Sequence, residues 1–210
     1  MHTLYYSPGS ASMVVHWLLL ELGAPHELRL VDTASGEQKS PQYLALNPNG
    51  VVPTLLVNGE PSFEAAALLL DLADRHPDAG LAPAPGTRER RHLYQWMFNL
   101  ANMVQPLFRQ WWYPNEPAGP DHADDVRKHV QARIEAQWDR IDAHLAAQGP
   151  YLLGGGVTIA DFYLTMLMRW SRNMPRPAQQ WPHLAALAQR MKSRPTFATL
   201  YEREGLTEWA

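Results

Sequence analysis

The groups with most to offer a ligand in this chain are backbone ones. In Asn47-Pro48-Asn49-Gly50-Val51-Val52-Pro53-Thr54-Leu55-Leu56-Val57, a turn-forming cluster runs into a β-prone segment with a proline at its entry. Proline cannot donate to a strand ladder, so within a sheet it stands at an edge, a strand start or a bulge. The Val52-Pro53 bond is therefore the expected place for a cis peptide. A kink there would leave the N–H and C=O of Val52 without strand partners, and such groups need them. A peptide-like ligand can supply those partners by pairing as an added strand. A surface turn followed by an edge strand is the plainer reading, and both fit the stretch taken alone.

Other chemistry is excluded or structural. With no cysteine there is no disulfide, no thiol nucleophile and no cysteine-ligated zinc. The nine histidines contain no His-Glu-x-x-His pattern; His122 and His129 are seven apart and read as solvated, so no metal is expected. Thr158-Ile159-Ala160-Asp161 follows three glycines and reads as a capping box, with Asp161 reaching back to the helix start. Asp161 is then a cap worth about 0.5–2 kcal/mol rather than a catalyst. Trp96, Asn99 and Met103 recur at helical spacing opposite Leu93 and Met97. With Trp111, Trp112 and Tyr113 they could wall an apolar substrate pocket. Core packing or a dimer interface is the other use of such a stripe.

These residues need elements to hold them. The chain has 210 residues, 46% apolar and 19% charged, which suits one large or two small globular domains and excludes a disordered or coiled-coil protein. Residues 1–76 carry three Lys/Arg against eight Asp/Glu, and residues 77–210 fifteen against thirteen, an asymmetry consistent with two domains. No basic stripe points to nucleic acid. No signal peptide or membrane span is read, so a soluble, cytoplasmic protein is expected.

Thr3-Leu4-Tyr5-Tyr6 reads as a strand ended by Ser7-Pro8-Gly9-Ser10. A helix follows from Ala11, with Val15, Leu18, Leu19 and Leu22 on one face and Gly23 as its stop. The alternation in residues 26–31 predicts a second strand, parallel to the first through a right-handed crossover. Ser40-Pro41 opens a short helix. Asn58-Gly59 between two strand-like runs predicts a hairpin over residues 54–63, its second strand held to a sheet edge by Pro61. A helix over residues 64–75 completes a β-α-β-α-β-β-α domain, residues 1–76. The Pro/Gly-rich residues 77–86 read as a linker. Residues 87–210 read as all-helical. Leu93, Met97, Leu100, Val104 and Leu107 form one buried face, Pro106 kinks or ends that helix, and residues 111–120 form a loop. A helix over 121–147 and one after the capping box follow, and two shorter ones end the chain.

An α/β domain with Val-Pro before its third strand, a proline-rich linker and a helical domain with a Thr-x-x-Asp box resembles the cytosolic glutathione transferase superfamily. The motifs that carry the resemblance are Tyr5-Tyr6-Ser7-Pro8-Gly9-Ser10, Gly36-Glu37-Gln38-Lys39-Ser40-Pro41, the 47–53 stretch and Thr158-Ile159-Ala160-Asp161. It covers essentially the whole chain and is most similar to bacterial, serine-type members near the theta and beta types. The resemblance implies a thioredoxin-like N-terminal domain that binds glutathione, an all-helical C-terminal domain, an electrophile pocket between them, and a homodimer. Glutathione would be the co-substrate, and detoxifying conjugation of its thiolate to small hydrophobic electrophiles the reaction. A glutathione-dependent isomerase or dehalogenase, or a non-catalytic binding or regulatory protein, would use the same fold.

By the same resemblance Ser10 holds the hydroxyl that activates glutathione, with Ser12 as the alternative; the cysteine of some beta-type members corresponds to Ala11. A hydroxyl donor favours thiolate over thiol. Bringing a thiol of pKa about 8.5 to ionise at neutral pH needs one to two units, about 1.4–2.7 kcal/mol. Ser10 as a simple helix N-cap is the structural alternative. Gln38 and Lys39 match positions that hold the glycine carboxylate. Val52 would pair with the cysteinyl part of glutathione and Pro53 would fix that geometry. Glu64-Ala65 departs from the family, which has an acid or Gln followed by Ser at the helix start that receives the γ-glutamyl carboxylate. Losing that hydroxyl is expected to weaken binding by about 0.5–1.5 kcal/mol.

Overall fold

In the computed structural model, which describes residues 1–209, the aromatic start of the chain is strand β1 (His2–Tyr6). It is followed by α1 (Ser12–Glu21) and β2 (His26–Leu30), which lies parallel to β1. After a 3₁₀ turn (Glu37–Lys39) and α2 (Pro41–Leu44) come β3 (Thr54–Val57), β4 (Glu60–Phe63) and α3 (Ala65–Arg75). The sheet order is β2-β1-β3-β4, with β3 antiparallel to both its neighbours. This is the thioredoxin-like arrangement.

Local chemistry explains the joints. Val57 pairs with Glu60 around Asn58 and Gly59, whose φ angles of 53° and 90° are both positive, as a two-residue I′ turn demands. Pro61 stands on the edge strand, where its missing N–H leaves no ladder bond unmade. Ser40 caps α2 by accepting from Tyr43 N–H at 3.2 Å, with Pro41 at the first helical position.

α1 is buried from Ser12 to Leu19 on every side, wider than the single face that Val15, Leu18, Leu19 and Leu22 predict. Helices apolar all round are covered all round. The cover includes α3 and the last helix, α10 (Pro195–Glu204), which belongs to this unit: its residues are Met1–Ala82 with Lys192–Glu208. Trp17 packs edge-on to Phe197 at 5.2 Å and donates to Thr196 Oγ1 at 3.1 Å. Glu21 pairs with Arg194 and accepts from Thr196; burial opposes its charge, but these partners hold its pKa below the ordinary range.

The second unit, Pro83–Met191, is helical. It contains α4 (Arg88–Asn99), a π-helical turn (Leu100–Val104), α5 (Gln105–Trp112), α6 (Asn115–Ala118), α7 (Ala123–Gln148), α8 (Ile159–Trp170) and α9 (Pro182–Lys192). Leu93, Met97, Leu100, Val104 and Leu107 are buried as their spacing predicts. Of the two outcomes expected at Pro106, a kink or an end, the end does not occur: Pro106 lies in the first turn of α5, where a missing N–H costs least, directly after the wider π turn. One expectation is corrected. The segment read as a loop from Trp111 is helical to Trp112 and again in α6. Trp112 stacks at 5.7 Å on Phe108 one turn earlier and at 4.9 Å on Trp170, and that packing outweighs the local turn signals.

The Thr158–Asp161 capping box forms at the start of α8. Buried Asp161 accepts from Thr158 N–H at 2.7 Å, Thr158 Oγ1 at 3.0 Å and, from farther back, Leu152 N–H at 2.9 Å. Burial pushes its pKa up to about 6 in spite of these donors. No helix among the described residues is long and apolar enough to cross a membrane.

Candidate active site

One row of residues crosses the sheet: Arg29, Tyr5, Thr54 and Phe63 are successive partners. Because β1, β2 and β4 end at or just past this row and β3 begins at it, four connections leave the sheet at the same end. They are residues 7–11, residues 31–40, the 47–53 turn and the Glu64-Ala65 entry to α3. Ser10, Gln38, Lys39, Val52, Pro53, Glu64 and Ala65 all lie on these four connections, and Ser12 opens α1 directly after the first. The starts of α1 and α3 also meet this end, and helix N-termini carry unpaired N–H groups and partial positive charge. The arrangement suits a ligand with an extended backbone and several negative groups.

The Val52-Pro53 peptide is cis. The carbonyl just before it, Val51 C=O, accepts from Tyr43 Oη at 2.9 Å and Asn47 Nδ2 at 2.8 Å, and Tyr43 Oη also meets Thr54 Oγ1 at 2.9 Å. Burial raises the Tyr43 pKa, so the phenol keeps the proton it donates. Asn47 further accepts from Asn49 N–H at 3.1 Å. Val51 C=O is thus held by two donors, while the N–H and C=O of Val52 make no hydrogen bond among the described residues. Tyr43 and Asn47 are site-building residues that sequence reasoning missed. Asn47 leaves one local signal, a side chain that bonds the backbone two residues on.

Two serine hydroxyls and the backbone of Ser7 organise the first connection. Ser12 Oγ, fully buried, accepts from Ser7 N–H at 3.1 Å and lies 3.1 Å from Ser7 C=O and 2.8 Å from Ser10 Oγ. A hydroxyl has one proton to give. If Ser12 gives it to Ser7 C=O, Ser10 donates to Ser12. If Ser12 gives it to Ser10, the Ser10 proton is free to point outward. Ser10 is half-buried and Ser12 is not exposed at all, so of the two only Ser10 can present a hydroxyl to a ligand. Ser10 Oγ also lies 3.3 Å from Ser12 N–H, a weak cap at the start of α1. Farther out, Gly9 N–H donates to Glu204 Oε2 at 2.8 Å, a partner 195 residues away with no local signal.

Gln38 and Lys39 sit in the 3₁₀ turn. Lys39 Nζ donates to Asn49 O at 3.1 Å, which ties this connection to the 47–53 turn. Gly50, at φ 58°, makes room for it, since a Cβ there would lie 2.8 Å from Lys39 Nζ. Gln38 Nε2 reaches Thr33 O at 3.4 Å, and its buried Oε1 has no partner among the described residues. Glu64 has φ 72°, a strained value for a non-glycine residue that surrounding structure must hold. Its side chain is exposed and Ala65 is buried as the first residue of α3.

The six candidate pocket residues divide. Trp96 packs on His144 at 4.6 Å and lines a cavity of about 440 Å³ with Arg88, His92 and Gln148; none of the other five lines it. Asn99 ends α4 and Met103 is exposed on the π turn. Trp111 lies under Arg127, Trp112 packs on Trp170, and Tyr113 lies under Arg109 with half its surface exposed. Among the described residues no group of three or more His, Cys, Asp or Glu could hold a metal ion.

Comparison with known proteins bears on this geometry. Residues 9–75 match the family model "Glutathione S-transferase, N-terminal domain" and residues 124–197 the corresponding C-terminal domain. The chain is 34% identical over 209 residues to glutathione S-transferase GST-4.5 of Xanthomonas campestris, covering 97% of this chain and 98% of that one. It is 30% identical, with the same coverage, to glutathione S-transferase GstA of Escherichia coli O157:H7. A solved glutathione transferase homolog from Sulfitobacter with bound glutathione superposes with a TM-score of 0.89 at 29% identity, covering 99% of each chain. Sheet order, the cis-proline turn, the capping box and these full-length matches agree, and the chain belongs to the glutathione S-transferase family.

Proposed function

We propose that this glutathione transferase binds glutathione at the shared end of its sheet, ionises the thiol against Ser10, and adds the thiolate to small apolar electrophiles. The observation that carries the reading is the convergence of four connections there, with one half-buried serine hydroxyl among them.

Glutathione is an extended peptide with two carboxylates and one thiol. Its cysteinyl backbone pairs with the unpartnered N–H and C=O of Val52, in the place a further strand would take. The glycine carboxylate goes to Gln38 and Lys39, one a directional donor and the other a point charge. The γ-glutamyl carboxylate meets the first N–H groups of α3 at Glu64-Ala65, where the dipole favours an anion. Its sulfur comes to Ser10. When Ser12 donates to Ser10, the Ser10 proton turns to the sulfur, and a donor that itself receives a hydrogen bond is the stronger for it. The start of α1 adds its partial positive charge. The thiol proton passes to solvent water, the thiolate lone pair then forms the new C–S bond, and the leaving group departs with its electron pair. Met103, Trp111, Trp112 and Tyr113 offer an electrophile apolar and stacking contacts and Asn99 a polar one; the separate cavity at Trp96 makes its part in this the smallest. The enzyme acts as a homodimer in this reading, and Tyr94 and Phe98, exposed one turn apart on α4, are apolar surface for a second copy.

Retention on immobilised glutathione, followed by a general conjugation assay on wild type, Ser10→Ala and Ser12→Ala, tests it. Wild type binds and turns over, and Ser10→Ala binds but turns over slowly. A wild type that neither binds nor conjugates refutes the reading; activity lost only in Ser12→Ala moves the thiol to the other serine.

A further inference from the structure

The serine connection is held by a residue that no part of the proposed chemistry touches. Gly9, at φ 67°, turns its N–H into the unit's interior, where it meets Glu204 Oε2 at 2.8 Å. The other oxygen of that carboxylate lies 2.8 Å from His16 Nδ1, and both side chains are completely buried. A carboxylate only accepts, so with Glu204 ionised the Nδ1 proton belongs to His16. His16 stands in the middle of α1 and Glu204 ends α10, so one carboxylate fastens three pieces of chain: the turn before Ser10, the helix Ser10 opens, and the last helix.

A buried carboxylate is costly unless each oxygen is hydrogen-bonded, and here each has a partner. Gly9 immediately precedes Ser10, and its peptide orientation sets where the Ser10 Cα and hydroxyl stand. Two other backbone ties on this turn, Ser10 N–H to Ser7 C=O at 3.2 Å and Ser7 N–H to Ser12 Oγ at 3.1 Å, are longer and lie in or next to the hydroxyl network itself. The bond to Glu204 is shorter than either and comes from another helix.

We propose that Glu204, supported by His16, is a positioning residue for Ser10: it fixes the Gly9 peptide so that the serine hydroxyl meets the glutathione sulfur. This rests on Ser10 being the activating serine. Catalytic geometry is sensitive to displacements of about 1 Å, which can lower rates by roughly 100-fold, so loosening this turn should act on turnover more than on substrate affinity.

The test compares Glu204→Ala with Glu204→Gln, using glutathione itself as the probe. Gln can keep both contacts, its oxygen accepting from Gly9 and its amide donating to the other tautomer of His16, while removing the charge. Glu204→Ala is expected to lower kcat roughly 10- to 100-fold with KM for glutathione changed far less, and to raise the pKa of the bound thiol; Glu204→Gln restores both. Amide hydrogen exchange at Gly9 in the wild type needs no variant to fold, and it should be as slow as in the core of α1. Equal losses in both variants would assign the effect to charge and overturn the proposal, as would fast exchange at Gly9 or wild-type kinetics in Glu204→Ala. If the wild type transfers no glutathione, the proposed function fails; slow Gly9 exchange then upholds the clamp, and fast exchange rejects it too.

Discussion

Replacing Ser10 by Ala removes the half-buried hydroxyl of the Ser10–Ser12 pair and leaves the Ser12–Ser7 contacts in place. Take a bound thiol at pKa about 7 in the wild type against about 8.5 for an unassisted one. At pH 7 its thiolate fraction then drops from about one half to about 3% in the variant, roughly 16-fold. A more basic thiolate is a better nucleophile, with a Brønsted slope near 0.45, which gives back about 5-fold. Ionisation alone therefore accounts for about a 3-fold loss at pH 7, which vanishes near about pH 8 and turns into a gain of up to about 5-fold at higher pH, where both thiols are ionised and the variant's is the more nucleophilic. Any loss beyond that, persisting at high pH, measures orientation of the sulfur by the hydroxyl. The assay is an ultraviolet titration of the thiolate in the enzyme–glutathione complex, run beside kcat from pH 6 to 9. Ser12→Ala should differ in kind: it strips partners from Ser7 N–H and C=O in a buried place, so it lowers stability by about 1–3 kcal/mol and raises the thiol pKa less. An unchanged thiol pKa in Ser10→Ala would refute the reasoning outright.

Restoring a hydroxyl at the start of α3 with Ala65→Ser should tighten glutathione binding about 2- to 10-fold, the range of one added hydrogen bond, by calorimetry; an unchanged Kd would place the γ-glutamyl carboxylate elsewhere. Lys39→Met should weaken glutathione about 3- to 10-fold and flatten the salt dependence of Kd, because the cation is exposed and screened; equal salt slopes would remove Lys39 from the site. Asp161 has a folded pKa of about 6, raised by burial above its unfolded value of 3.8. The native state thus holds the extra proton between these values, and Asp161's contribution to stability is greatest below pH 4 and lost as pH rises through 6. Unfolding free energies of wild type and Asp161→Asn should therefore shift by about 3 kcal/mol in the variant's favour between pH 4 and 7; a pH-independent difference would contradict the raised pKa.

What could be read from the sequence was set by contacts close along the chain. Asn58-Gly59 specified its hairpin because two adjacent residues must both take positive φ. Thr158 and Asp161 are one helical turn apart, and Ser40-Pro41 are neighbours, so both helix starts were legible. The kinked entry at Pro53 was legible because proline has no N–H, whatever surrounds it. Local rules failed where distant packing decided. Trp111 and Trp112 sit beside turn-forming residues, yet the stacking of Trp112 on Phe108 and Trp170 extends the helix through them. Glu204 and His16 are 188 residues apart, and no spacing rule connects two polar residues on apolar helices at opposite ends of a chain. Ser10 and Ser12 are two residues apart in sequence, but which hydroxyl faces outward depends on how α1 is covered.

The carboxylate that reaches Gly9 lies 195 residues farther along the chain. A growing chain therefore makes its serine turn long before it receives the side chain that steadies it. The thioredoxin-like unit is not a cassette. Cutting after residue 82, or exchanging that segment between relatives, separates the turn from its anchor, whereas a graft that carries residues 192–208 along keeps the two together.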